Sequence, residues 1–214
     1  MSSATITTSA RLMNSTPQTE EQAMVRKVAV SSFLGNFIEW FDYASYSYFA
    51  TTIALVFFPT DNHTVAMLQT FGVFALSFIL RPIGALFWGS YGDKKGRKAA
   101  LAHSIMFMSG ASFLIGCLPS YSVIGVGAPI LLLLLRMVQG FSASGEYAGA
   151  ATFLGEYAPT SKRGIYCSLI PASTAIGLLA GSTLATLMTA NMNSSAMVGW
   201  GWRVPFLLAG PLGL

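Results

Sequence analysis

A series of long apolar segments separated by short loops constrains this chain more than any other feature. They run roughly over Val28–Phe58, Val65–Trp88, Ala99–Leu118, Ala128–Tyr157 and Gly164–Met188. A helix needs about 20 predominantly apolar residues to cross a hydrocarbon core, and each segment is long enough. Only 9% of residues are charged, 53% are hydrophobic and mean hydropathy is +0.59. Soluble domains carry about 25% charged residues, so the chain falls outside that class. Within lipid, each span must satisfy its own backbone hydrogen bonds, which favours helices. The fold class expected is therefore all-α and integral to a membrane. A last segment, Trp202–Leu214, would cover about 20 Å and reads as an incomplete sixth span. Residues 1–24 are Ser/Thr-rich without a hydrophobic run, which predicts a disordered tail and not a cleavable signal peptide. Residues 25–214 make up the predicted bundle.

The basic residues set the expected topology. Arg11, Arg26, Lys27, Lys94, Lys95, Arg97, Lys98, Lys162 and Arg163 all fall on one side of the spans. The loops near Thr60, Tyr121 and Asn193 contain no Lys or Arg. This asymmetry predicts a multi-pass protein with its N-terminus in the cytoplasm. A net charge of +4 could suggest nucleic acid, but the basic residues cluster in short loops and not on a soluble face, so no nucleic-acid partner is expected. Trp88, Trp200 and Trp202 suit interfacial anchors or aromatic packing. Cys117 and Cys167 lie near opposite membrane faces, which argues against a disulfide.

Charges within the spans carry the functional signal. Glu39, Asp42, Arg81, Arg136 and Glu146 each carry a penalty of about 2.5–3.5 kcal/mol at mid-membrane unless paired or protonated. Arg203, at the edge of the sixth segment, can snorkel. At about 1.5 Å per residue, Arg136 lies at the level of Glu39 and Asp42, whereas Arg81 lies nearer Glu146. Depth therefore predicts Arg136 beside Glu39 or Asp42, and Arg81 beside Glu146. Asn36, Glu39, Tyr43 and Tyr46 share one helical face, with Asp42 beside it, as in a polar site lining. Structural ion pairing and proton or cation coupling both remain open for these carboxylates. Gly145-x-x-x-Gly149 and Gly177-x-x-x-Gly181 have the spacing that lets helices approach closely. Pro171 is expected to kink the fifth span. No metal-ligand cluster, phosphate-binding loop or nucleophile–base spacing is present, so neither an enzyme nor a cofactor is expected.

The stretch Gly89-Ser90-Tyr91-Gly92-Asp93-Lys94-Lys95-Gly96-Arg97-Lys98 reads as a tight charged loop. Its Gly89, Asp93, Lys94, Gly96, Arg97 and Lys98 resemble the G-x-x-x-D-[RK]-x-G-[RK]-[RK] loop of the major facilitator superfamily. Further likenesses are Gly35-Asn36-Phe37-Ile38-Glu39-Trp40-Phe41-Asp42, Arg81-Pro82-Ile83-Gly84, and Arg136-Met137-Val138-Gln139-Gly140-Phe141-Ser142 running into Gly145-Glu146-Tyr147. Glu156-Tyr157-Ala158-Pro159 and Trp200-Gly201-Trp202-Arg203-Val204-Pro205-Phe206 extend the match. Over residues 28–214 the chain resembles the metabolite:proton symporter family, most of all its proline/glycine betaine transporters.

The resemblance implies the N-terminal six-helix half of a twelve-helix fold, with the C-terminal half as a missing partner. It implies an inner-membrane symporter that takes a small-molecule substrate by alternating access, with protons as the coupling ion. Asn36, Glu39, Asp42, Tyr43, Arg81, Arg136, Gln139 and Glu146 would then serve cargo and proton coupling. Asp93 and Arg97 would latch the cytoplasmic side, with Glu156. An organic acid such as citrate, 2-oxoglutarate or shikimate is an alternative cargo, since Arg81 and Arg136 suit an anion. A non-transporting membrane fragment is a further alternative.

Overall fold

The computed structural model describes residues 16–212, apart from the side chains of residues 16–22, 146–148 and 153. Among the described residues every regular element is helical: α1 (Thr16–Tyr48), α2 (Ala50–Phe57), α3 (His63–Ile79), α4 (Arg81–Lys95), α5 (Arg97–Cys117), α6 (Tyr121–Ile124), α7 (Gly127–Ala143), α8 (Glu146–Tyr157), α9 (Arg163–Asn191) and α10 (Ser194–Gly199). A 3-10 turn (Gly201–Arg203) leads into α11 (Val204–Leu212). Helices occupy each of the predicted segments, and three segments are built from two helices each. The break in the first is slight, because Phe49 N–H donates to Ser45 O at 3.0 Å and Phe49 O accepts from Ile53 at 2.8 Å. Pro82 explains the break at Leu80: it lacks the N–H that would continue the ladder. The helical stretch 63–95, α5 and α9 are each long and apolar enough to cross a membrane. The first span carries Asn36, Glu39 and Asp42 and is less apolar.

Two expectations change at the ends of the helices. Helix α1 starts at Thr16, so the stretch 16–24, expected within the disordered tail, is helical; residues 1–15 lie outside the described residues. Pro17 near the start and the helix formers Glu20, Glu21, Gln22 and Ala23 favour that extension. The charged stretch from Gly89 to Lys98 is not an extended loop. Helix α4 continues through Lys95, and the chain reverses at Gly96 alone, with φ 93° and ψ 140°. A side chain is strained at positive φ, so glycine suits that single residue. Lys94 and Lys95 in the last turn of α4 complement the negative end of its dipole.

The bundle has apolar cores toward each end with a polar layer between them. Toward the Trp202 end, Phe49, Phe57, Ile115, Leu132, Trp202 and Phe206 pack together. Toward the Gly96 end, Val28, Leu101, Ile105, Leu154 and Ile170 form a second cluster. Trp88 and Trp202 are buried and only Trp200 is largely exposed, so packing takes two of the three tryptophans considered as anchors. Leu68, Leu86, Ile165 and Leu179 point outward, as the lipid face of a membrane bundle requires. Cys117 and Cys167 are free thiols. Helix α9 runs unbroken through Pro171.

Small residues allow a close contact between α1 and α9. A Cβ on Gly177 would lie 2.6 Å from Phe37 O, and one on Gly181 2.7 Å from Ala44 Cβ. In the other spaced pair only Gly145 is tight, against Trp88, while Gly149 faces open space. Gly181→Leu should therefore destabilise the bundle by about 1–3 kcal/mol, read as a lower unfolding midpoint in detergent. Gly149→Ala should leave that midpoint unchanged.

Candidate functional site

The polar layer is built around α1, where Asn36, Glu39 and Asp42 are one helical turn apart and all buried. Asp42 is the centre of the more enclosed half. It pairs with Arg136 Nη1 from α7 and accepts from Ser112 Oγ of α5 at 3.2 Å and from Gln139 Nε2 at 3.1 Å. Gln139, one turn beyond Arg136, accepts from Arg136 Nη1 at 2.9 Å and donates to Ser112 Oγ at 2.6 Å. The Arg136 guanidinium lies 3.9 Å from the Tyr46 ring centroid, and the Tyr46 hydroxyl donates to Thr70 O at 2.8 Å. Both ionic side chains are almost sealed, Arg136 at 1% exposure and Asp42 at 3%. Depth and partner agree here: of the two acids at its level, Arg136 takes Asp42.

The second half is more open. Arg81, the first residue of α4, donates through Nη2 to Glu39 and to the Tyr43 hydroxyl. Depth assigns Glu39 to the level of Arg136, so this partnership for Arg81 is not the one expected. An arginine side chain reaches several ångströms along the membrane normal, so backbone depth does not decide its partner. The Glu146 side chain itself lies outside the described residues. Glu39 is 5% exposed but Arg81 is 32% exposed. Arg81 lines a cavity of about 640 Å³ with Trp40, Tyr43, Tyr48, Phe74 and Phe78. It also lines one of about 470 Å³ with Asn36, Glu39, Pro82 and Ser144.

Asn36 serves packing as well as lining. Its Nδ2 lies 2.8 Å from both Ser173 Oγ and Thr174 Oγ1 and 3.0 Å from Ile170 O, tying α1 to α9. The predicted gate residues gather at the Gly96 end, apart from this layer. Gly89, Asp93, Arg97 and Lys98 line a cavity of about 320 Å³ there. Asp93, Lys94, Arg97, Lys98 and Glu156 are exposed. Among the described residues the ion pairs are Arg81–Glu39 and Arg136–Asp42, so Asp93, Arg97 and Glu156 are not joined by one.

Sequence reasoning missed Ser112, Phe74 and Phe78. Ser112 is one of three serines in α5, and nothing in its spacing singles it out. Phe74 and Phe78 have a helical i, i+4 spacing, but many apolar pairs share it.

Because Asp42 and Arg136 are sealed together, removing one leaves a buried charge without its counter-ion. Asp42→Asn alone should destabilise the bundle by about 3–5 kcal/mol. Adding Arg136→Met should recover most of that loss. A double-mutant cycle on thermal unfolding in detergent checks this, and strictly additive effects would contradict the pairing.

Comparison with known proteins places the geometry in context. The model of the family described as sugar (and other) transporter matches residues 27–214. The glycine betaine/proline/ectoine/pipecolic acid transporter OusA of Dickeya dadantii (strain 3937) is 43% identical over 194 residues, covering 91% of this chain and 39% of that protein. The proline/betaine transporter of Escherichia coli (strain K12) is 41% identical, with the same coverage. The chain thus spans about two fifths of the length of these relatives. Among solved structures, the proton:xylose symporter XylE bound to 6-bromo-6-deoxy-D-glucose superposes with a TM-score of 0.74 at 17% identity, over 90% of this chain and 43% of that one. At that identity the likeness concerns the fold. A family match covering residues 27–214, almost the whole chain, makes this protein a member of the sugar (and other) transporter family of the major facilitator superfamily.

Proposed function

We propose that this chain is the N-terminal bundle of a proton-coupled symporter that imports a small zwitterionic osmolyte such as proline or glycine betaine. The observation that carries the reading is the juxtaposition of a sealed acid–arginine pair, Asp42–Arg136, with a partly open one, Glu39–Arg81, on a single helix face. A carboxylate held in a low-dielectric interior changes its protonation when its surroundings change. Protonation of Asp42 removes the charge that holds Arg136, which would free α7 to shift against α1. Gln139 and Ser112 keep hydrogen bonds available to Asp42 in either protonation state. Glu39, Tyr43, Arg81 and Asn36 border the cavities where cargo would sit. The transporters named for betaine and proline that share 41–43% of aligned residues support the choice of cargo.

In this reading, cargo binds between this bundle and a second, C-terminal half, and the two rock about it to give alternating access. Protons are the coupling ion, and no cofactor takes part. The protein sits in the cell inner membrane with its N-terminus and the Gly96 turn in the cytoplasm, following the basic-residue asymmetry. Asp93, Lys94, Arg97, Lys98 and Glu156 then lie at the cytoplasmic end, with Gly89 and Gly96. There they would latch the two halves when the transporter faces outward.

Cells lacking their own osmolyte uptake, and expressing the protein as its gene encodes it, provide the test. Labelled glycine betaine or proline should accumulate faster at acidic pH, and a protonophore should abolish accumulation. Unlabelled betaine should compete and 2-oxoglutarate should not; the reverse pattern would point to an organic-acid cargo. Asp42→Asn should reduce protonophore-sensitive accumulation at least tenfold while leaving betaine exchange measurable. Accumulation indifferent to the protonophore would refute proton coupling.

A further inference from the structure

We infer that Arg81 and the rings of Trp40, Tyr43, Phe74 and Phe78 form a subsite for a quaternary-ammonium monocarboxylate, in which Glu39 competes with the ligand carboxylate for Arg81. The assignment rests on the transport reading above and specifies which groups meet the cargo.

Arg81 has donor capacity that its partners leave unused. Both Glu39 and Tyr43 take Nη2, while Nε is buried without a hydrogen-bond partner. Nε and Nη2 together make the side-on edge of the guanidinium, which matches the two oxygens of a carboxylate. Glu39 meets that edge through Oε1 at Nη2 only. At 32% exposure Arg81 can be reached from the cavity, whereas Arg136 at 1% cannot.

Around it the rings stand at steep angles to one another. Trp40 and Tyr43 are 5.8 Å apart at 71°, Tyr43 and Phe74 5.3 Å at 88°, and Phe74 and Phe78 5.3 Å at 72°. The Arg81 guanidinium already lies 4.5 Å from the Phe78 ring centroid and 5.6 Å from that of Tyr43. Ring faces present negative potential, and a set of them turned in different directions suits a quaternary ammonium. Arg81 is the sole Lys or Arg among the described residues lining this 640 Å³ cavity. A dicarboxylate would leave its second charge without a counter-ion there, whereas a zwitterion presents one anion to Arg81 and its cation to the rings.

Glu39 then links cargo to protons. A proton on Glu39 weakens its hold on Arg81 and favours the ligand carboxylate. The ionisable groups facing Glu39 are Arg81 from α4 and Tyr43 and Asp42 from α1 itself. To this stretch of α1, α9 presents Ser173, Thr174 and Gly177, and Ala143 of α7 and Ser144 just beyond it line the adjoining cavity. The Glu146 side chain, from α8, lies outside the described residues.

Equilibrium binding of labelled glycine betaine to the purified full-length protein, with choline as the analogue lacking a carboxylate, tests the assignment. Wild-type protein should prefer betaine to choline at least tenfold and bind betaine more weakly at pH 8 than at pH 6. Arg81→Gln should erase that preference, and Phe78→Leu should weaken both ligands together. Glu39→Gln should tighten betaine binding and flatten its pH dependence. The double variant Arg81→Gln/Glu39→Gln, which leaves no unpaired buried charge, should elute as a monodisperse folded species and still lack the preference. Betaine binding that survives Arg81→Gln unchanged, or that weakens in Glu39→Gln, overturns the subsite and leaves the transport reading standing. Wild-type protein that binds no zwitterion overturns both.

Discussion

A fully charged arginine inside a membrane bundle dictates much of what surrounds it. Arg136 has no route to water at 1% exposure, and a guanidinium does not give up its proton at accessible pH. Its counter-charge has to come from another span, and Asp42 supplies it. That single requirement draws α1 and α7 together at one level, and Gln139 and Ser112 add hydrogen bonds from α7 and α5. Tyr46 closes the remaining side with its ring face. The apolar clusters above and below then exclude water from the layer, which strengthens the same electrostatic interactions.

The two arginine–carboxylate pairs look equivalent as residue types but differ in how they are enclosed. Arg136 sits within a helix, between neighbours on several sides. Arg81 begins a helix at the joint that Pro82 creates, and its side chain borders two cavities. One pair is thereby closed to solvent, whereas the other can be reached from the cavities beside it. Their proximity on α1 allows an event at one to be felt at the other without a long relay, because Glu39 and Asp42 lie three positions apart on the same helix.

Close helix approach makes this arrangement possible. Gly177 and Gly181 admit the backbone of α1 from Phe37 to Ala44, the stretch that bears Glu39 and Asp42. Side chains at those glycines would push α1 away from α9 and alter the aim of both carboxylates. Asn36 reinforces the contact through donors into α9 beside Pro171. Packing and chemistry therefore share the same turns of α1.

Residue order alone determined the helical membrane class, the six spans, the family resemblance and the residues of the polar layer, because lipid imposes one long period and forbids casual charge. It also indicated Arg136 near Asp42, since their depths along two spans coincide. It did not indicate that Arg81, whose long side chain reaches past the level of its own backbone, meets Glu39. It took Gly89–Lys98 for a loop, although charge at a helix end is compatible with the helix continuing to Gly96. Ser112, Phe74 and Phe78 gained meaning only when separate spans were brought together. Which arginine is sealed and which is open was decided by tertiary structure, because exposure depends on neighbours contributed by distant parts of the chain and not on the identity of the residue.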